Sequence, residues 1–198
     1  MKSVLISIQP KWCELIASGK KTVEVRKTKP KLDTPSKVYI YCTIDGGVKG
    51  DRLVRSKLIC GKVIGEFVCD KIDDFYCASI PYRKENNLGY GRFINNGVYK
   101  VDGWHEGVVF ERSDIYINSM LKNSDLENMC LSAQEIFDYI GIGKHLYGWH
   151  ISDLVIYDKP RELSEFHKPT MPTGLRYEND TITRPPQSWC YVESEVTE

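Results

Sequence analysis

Lys21, Glu24 and Arg26 place two cations and a carboxylate in one short stretch of chain, with Lys20 beside them. A guanidinium can fork onto a phosphate, and an ammonium serves as a compact point charge. Lys21 and Arg26 are therefore candidate donors to an anion or a polar base edge. Glu24 lies between them in sequence and can orient both or accept a proton. The same trio would also make an ordinary surface salt-bridge cluster, which contributes little to stability. Residue type alone leaves both readings open.

Aromatic side chains beside cations are the usual platform for single-stranded nucleic acid. Trp12, Trp104, Trp149, Tyr90 and Tyr99 are candidates, although rings fill cores as readily. Trp104-His105-Glu106 falls in a segment that reads as an elaboration and could reach over a cleft. His105 is the acid–base candidate there. The seven cysteines form no CxxC pair, and an odd number cannot all pair, so reduced, mostly buried thiols are expected. His105, His145, His150 and His167 lack metal-ligand spacing, so neither a metal nor another cofactor is expected.

These groups must be positioned by the elements around them. Residues 1–8 alternate as a first strand, and Pro10 suits the opening of a helix whose apolar face is Trp12, Leu15 and Ile16. Gly19 supplies the stop. From Thr22 to Arg26 strict alternation sends Val23 and Val25 to a core, and Thr22, Glu24 and Arg26 to an exposed or cleft-lining face. Val38 to Cys42 and Lys62 to Cys69 are strands, the second with Gly65 inside it where a bulge or sharp bend is expected. Asn96-Gly97 between two short strand-like runs reads as a hairpin. Ser132 and Glu135 form a capping box for a helix from Leu131 to Ile140, ended by Gly141. Residues 146–157 supply one or two closing strands, and the prolines after Ser164 suggest an extended tail. The pattern predicts a mainly β fold with helices in the connections, a small β-barrel, rather than a parallel α/β sheet. The expected organisation is one domain over residues 1–163, elaborated at about 78–120, with the tail 164–198 packed on it.

The stretch Ser7-Ile8-Gln9-Pro10-Lys11-Trp12, followed by Ile16 through Arg26, resembles the ASCH family, whose mark is a helix running into G-x-K-x-x-E-x-R. Gly19, Lys21, Glu24 and Arg26 match all four positions. The strand around Gly61 to Phe67 and the run 146–157 are also similar to that family. The resemblance extends discontinuously over most of residues 3–163, leaving out 78–120 and the tail. It implies a PUA-like β-barrel with a cleft beside the motif helix, in a family thought to bind or act on RNA. On this reading Lys21, Arg26, Lys20, Trp12, Ser7, Trp104 and His105 would contact nucleic acid. Some ASCH proteins resemble amidohydrolases that deacylate a modified cytidine with the motif lysine, a threonine three residues on and a downstream glutamate. Lys21 matches the lysine, and Glu127-Asn128-Met129 resembles the segment carrying the glutamate. Glu24, however, stands where the threonine would be, and Thr22 is displaced by two residues. A carboxylate there is expected to hold Lys21 protonated.

The 198 residues, 41% hydrophobic and 27% charged, suit a globular chain. No apolar run is long enough to span a membrane, and no secretory leader is read at residues 1–10, so a cytoplasmic protein with no membrane association is expected. The net charge of zero conceals an asymmetry: residues 1–62 carry 14 Lys and Arg against 5 Asp and Glu. A basic first part suits an anionic partner. Three functions stay open. The first is a module binding RNA, a nucleoside or a nucleotide, with no obligatory protein partner. The second is a hydrolase, either an amidohydrolase on acylated cytidine or a ribonuclease, using Lys21 with Glu24 or Glu127 as acid or base. The third is a non-catalytic interaction domain.

Overall fold

Val4 to Ile8 are almost continuously apolar, a pattern that suits a strand covered on both faces rather than one half exposed to water. In a computed structural model, which describes residues 2–44, 60–81, 92–94, 98–100, 107–112, 115–119, 121, 123–141, 144–170, 173–174 and 179–193, this run lies inside β1 (Lys2–Ile8) and is buried throughout. The chain divides into two units. The first comprises residues 1–20, 30–71 and 150–198, and the second comprises 21–29 and 72–149.

The first unit is built on a five-stranded sheet. Its strands are β1, β3 (Ser36–Cys42), β4 (Lys62–Cys69), β11 (Ser152–Arg161) and β12 (Trp189–Glu193), in the order β11-β4-β3-β1-β12. β1 and β3 run parallel, and the other pairings are antiparallel. Leu5, Tyr39, Tyr41, Val63, Phe166, Ile182 and Val192 form a core cluster in this unit. The glycine inside β4 marks a bulge, as expected: Ile40 pairs with Gly65 but Tyr41 with Val63, so one residue of β4 is extra. Gly65 also faces β11 so closely that a Cβ there would lie 2.4 Å from the Val155 carbonyl oxygen.

Helix α1 (Pro10–Ala17) follows β1, with Pro10 in its first turn, and buries Cys13 and Ile16. Its end is a paired backbone lock. The Gly19 N–H donates to the Ile16 carbonyl and the Lys20 N–H to the Leu15 carbonyl, with Gly19 at φ +71°. An L side chain is strained at such an angle, which accounts for glycine at this position.

The second unit holds a seven-stranded sheet. Its strands are β2 (Val23–Arg26), β5 (Ile72–Pro81), β6 (Arg92–Ile94), β7 (Val98–Lys100), β8 (Gly107–Arg112), β9 (Ile115–Ser119) and β10 (Lys144–His150), in the order β2-β10-β5-β9-β8-β7-β6. β6 and β7 pair antiparallel about residues 95–97, as the Asn96-Gly97 signal requires, although that turn itself lies outside the described residues. Helices α2 (Asn123–Met129) and α3 (Ala133–Ile140) precede β10. At the start of α3, Glu135 Oε2 accepts from the Ser132 N–H at 2.8 Å while Ser132 Oγ accepts from the Glu135 N–H at 3.2 Å, so the capping box is formed. Val23, Val25, Leu121, Met129, Ile136, Ile140 and Leu146 make the core of this unit.

The fold is mainly β with few helices, but among the described residues the expected closed barrel is not found. The strands are shared between two open sheets, with β11 and β12 at the edges of one and β2 and β6 at the edges of the other. Closure requires the edge strands of a single sheet to pair, and neither pair does so. Among the described residues, no helix is long and apolar enough to cross a membrane.

Candidate functional site

Lys21 comes directly after the lock that ends α1 and leads into β2. The Thr22 N–H donates to the Asn128 carbonyl at 2.9 Å, which fastens the start of β2 to the last turn of α2. Carbonyls in the last turn of a helix have no partner within it, and cations are favoured there. Lys21 uses this: its Nζ donates to the Met129 carbonyl at 2.5 Å. Met129 adds its side chain to the core of the unit, so one residue both packs β2 and receives the ammonium.

Val23 and Val25 face that core, as their alternation predicts. The opposite face differs from expectation at its centre. Glu24 is only 3% exposed and Lys21 only 2%, so this is a buried ion pair and not a solvated cluster. Glu24 Oε2 lies 3.6 Å from Lys21 Nζ, and Glu24 Oε1 lies 3.1 Å from an Arg26 Nη. One carboxylate thus holds two cations. The Arg26 side chain is 13% exposed and that of Lys21 only 1%, so Arg26 is the cation that reaches solvent. Glu24 Oε2 has no hydrogen-bond donor among the described residues. A buried carboxylate oxygen in that condition is uncommon and favours a donor brought from outside.

Burial pushes the Lys21 ammonium below its usual value of 10.5. Glu24 and Cys130 pull it back up, while the neighbouring Arg26 guanidinium pushes it further down. Desolvation is the largest of these influences, and Glu24 opposes it by favouring the charged form, the direction expected of a neighbouring carboxylate.

The remaining candidates are dispersed. Lys20 is exposed at the end of α1 in the first unit. Ser7, also in that unit, commits its hydroxyl to the Pro186 carbonyl at 2.6 Å. Trp12 is half-buried on α1, with the Lys11 ammonium 4.0 Å from its ring centre. Glu127 is exposed on α2, and none of its described contacts reaches Lys21 or Glu24. It lies within α2 and ahead of α3, the helix that the Ser132–Glu135 capping box starts. Trp149 is fully buried. Trp104 and His105 lie outside the described residues. The sequence reading missed the Met129 carbonyl, because a backbone acceptor carries no residue-type signal.

With the G-x-K-x-x-E-x-R residues folded into a helix stop and a buried Lys–Glu–Arg group, comparison with known proteins is informative. Residues 6–72 match the family model of the ASCH domain. Over that stretch the chain is similar to the ASCH domain. Among solved structures, an ASCH protein from Zymomonas mobilis is 19% identical with a TM-score of 0.51, covering 96% of this chain and 87% of that one. A single-residue variant from the same organism is 18% identical with a TM-score of 0.50, covering 98% and 91%. A second variant gives 18% and 0.51, covering 96% and 88%. At these identities the ASCH likeness concerns the fold. No curated protein matches the chain.

Proposed function

We propose that this chain is an RNA- or nucleotide-binding module in which Arg26 meets the ligand and Lys21 and Glu24 hold it in place. The observation that carries the reading is the buried Glu24 carboxylate, braced by two cations and with Oε2 lacking a hydrogen-bond donor among the described residues. A ribose hydroxyl or a base amine could supply the missing donor while Arg26 takes a phosphate oxygen. The match of residues 6–72 to the ASCH family model and the basic first part of the chain support the same reading.

The test is fluorescence anisotropy with a labelled single-stranded RNA. Binding should weaken as salt rises, and Arg26→Met should weaken it by about tenfold, the value of one charge-assisted hydrogen bond. Unchanged affinity in Arg26→Met, or no binding at low salt, would refute the reading.

A hydrolase is the second reading, favoured by one observation: burial brings the Lys21 amine closer to its neutral, proton-accepting form. Glu24, tied between two cations, would then orient Lys21 and is not suited to replace a hydroxyl nucleophile. Release of product from acylated cytidine or from RNA, lost in Lys21→Met, distinguishes this reading from binding alone.

A further inference from the structure

The second unit contains a hollow of about 340 Å³ lined by Lys27, Ile140, Lys144, His145 and Tyr147. None of these residues belongs to the Lys21–Glu24–Arg26 group. Lys27 follows β2 and sets its ammonium 4.7 Å from the ring centre of Tyr139 on α3. Two residues on, the Lys29 ammonium lies 5.0 Å from the ring centre of Tyr147 and 3.8 Å from Asp74 Oδ2. His145 and Tyr147 alternate with the buried Leu146 on β10, so their rings share the other face of that strand. The two rings stack at 6.0 Å with an interplanar angle of 12°. Asp74 Oδ1 sits 2.5 Å from His145 Nδ1 and so sets the orientation of the imidazole.

Two lysines therefore line the hollow, Lys29 approaches the Tyr147 ring, and the described contacts of Asp74 go to His145 and Lys29. Lys27, Lys144 and His145 are exposed. Such ammonium groups suit a phosphate as point charges. A stacked ring pair beside apolar Ile140 suits the flat or carbon-rich part of the same ligand. The volume is at the small end of the range for small-molecule sites, which matches one nucleotide unit and not a protein surface.

We propose that this hollow is a second binding site of the chain, for a phosphate-bearing ligand of mononucleotide size. Lys27 and Lys144 hold the phosphate, and Tyr147 and Ile140 border the base or sugar. The site stands independently of Arg26. The phosphate can come from a free mononucleotide or from the 5′ end of a strand.

The experiment is calorimetric titration of the full chain at low salt with inorganic phosphate, adenosine, adenosine monophosphate and a 5′-phosphorylated trinucleotide, with backbone amide NMR shifts to locate the site. The monophosphate should bind at least tenfold more tightly than adenosine and shift the amides of Lys27, Lys144 and Tyr147. The double variant Lys27→Met/Lys144→Met should lose about a hundredfold, one charge-assisted hydrogen bond per lysine. Both side chains are exposed, and an unchanged melting temperature confirms the fold of the variant. Arg26→Met should bind the monophosphate like the unaltered chain. Tighter binding of the trinucleotide identifies a strand end, and tighter binding of the monophosphate a free nucleotide; both support the site. No saturable binding of any phosphate probe at millimolar concentration overturns it. So does binding that survives Lys27→Met/Lys144→Met but is lost in Arg26→Met, a result that would leave the Arg26 reading standing.

Discussion

Replacing Glu24 with Gln removes a single charge from between two cations while keeping nearly the same shape. At an effective dielectric of about 20, charges separated by 3.1 Å and 3.6 Å attract by roughly 5 kcal/mol each. That gross attraction is offset by the cost of taking the carboxylate out of water, so the net loss is smaller. Removing one partner of a buried pair typically costs about 3–5 kcal/mol, and we expect Glu24→Gln to fall in that range. Urea unfolding at neutral pH measures it directly. The pH dependence supplies an independent check. A lysine whose folded value lies below its unfolded 10.5 binds fewer protons when folded, so stability rises with pH between the two values. Glu24 is the strongest of the influences raising Lys21, and its removal widens that interval. Glu24→Gln should therefore recover part of its lost stability as pH rises toward 10.5. The double variant Lys21→Met/Glu24→Gln should be less destabilised than the two single variants added together, because it leaves no unpaired ammonium. A Glu24→Gln variant within about 0.5 kcal/mol of the parent, with no coupling to Lys21→Met, would place the pair among weak surface contacts and refute the reasoning.

Other perturbations test the scaffold. Gly65→Ala should destabilise the chain by about 2 kcal/mol or more, because the new methyl must displace the Val155 backbone; thermal melting reads this. Ser132→Ala removes one half of the capping box on α3 and should cost about 1 kcal/mol in urea unfolding. Burial raises the Glu66 carboxyl, but hydrogen bonds from Lys37 at 2.8 Å and Tyr157 at 2.6 Å outweigh it and lower the group below its ordinary 4.5. A depressed carboxyl stabilises the fold above its unfolded value and loses that effect as pH falls through its folded value. Glu66→Gln should therefore flatten the stability profile below about pH 4.5, as followed by acid unfolding.

The elements around the motif were legible because each has a local cause. Pro10 opens α1, Gly19 closes it, the alternation of Val23 and Val25 sets the core face of β2, and the Ser132–Glu135 reciprocity starts α3. Gly65 announced its bulge through the absence of a side chain. What stayed hidden depends on residues distant in sequence. No period in residues 22–26 says that the polar face of β2 is also covered, so the burial of Glu24 was invisible. Helix α2 is only seven residues long, too short for Leu126 and Met129 to establish a period, and the helical setting of Glu127 was therefore not read from the sequence. The division into two open sheets is likewise a matter of which strands meet, and strand propensity carries no information about partners.

β1 and β12 illustrate what distant pairing entails. Lys2 lies opposite Glu193 and Ile6 opposite Trp189, so one edge of β1 is covered by residues made almost a whole chain length later. During synthesis that apolar strand must wait, with one row of amides and carbonyls open, until the ribosome has released residues 189–193. A nascent chain in that interval is exposed to strand-on-strand association with its neighbours. Holding factors that shield extended segments should therefore raise the yield of folded protein more than a slower rate of translation would.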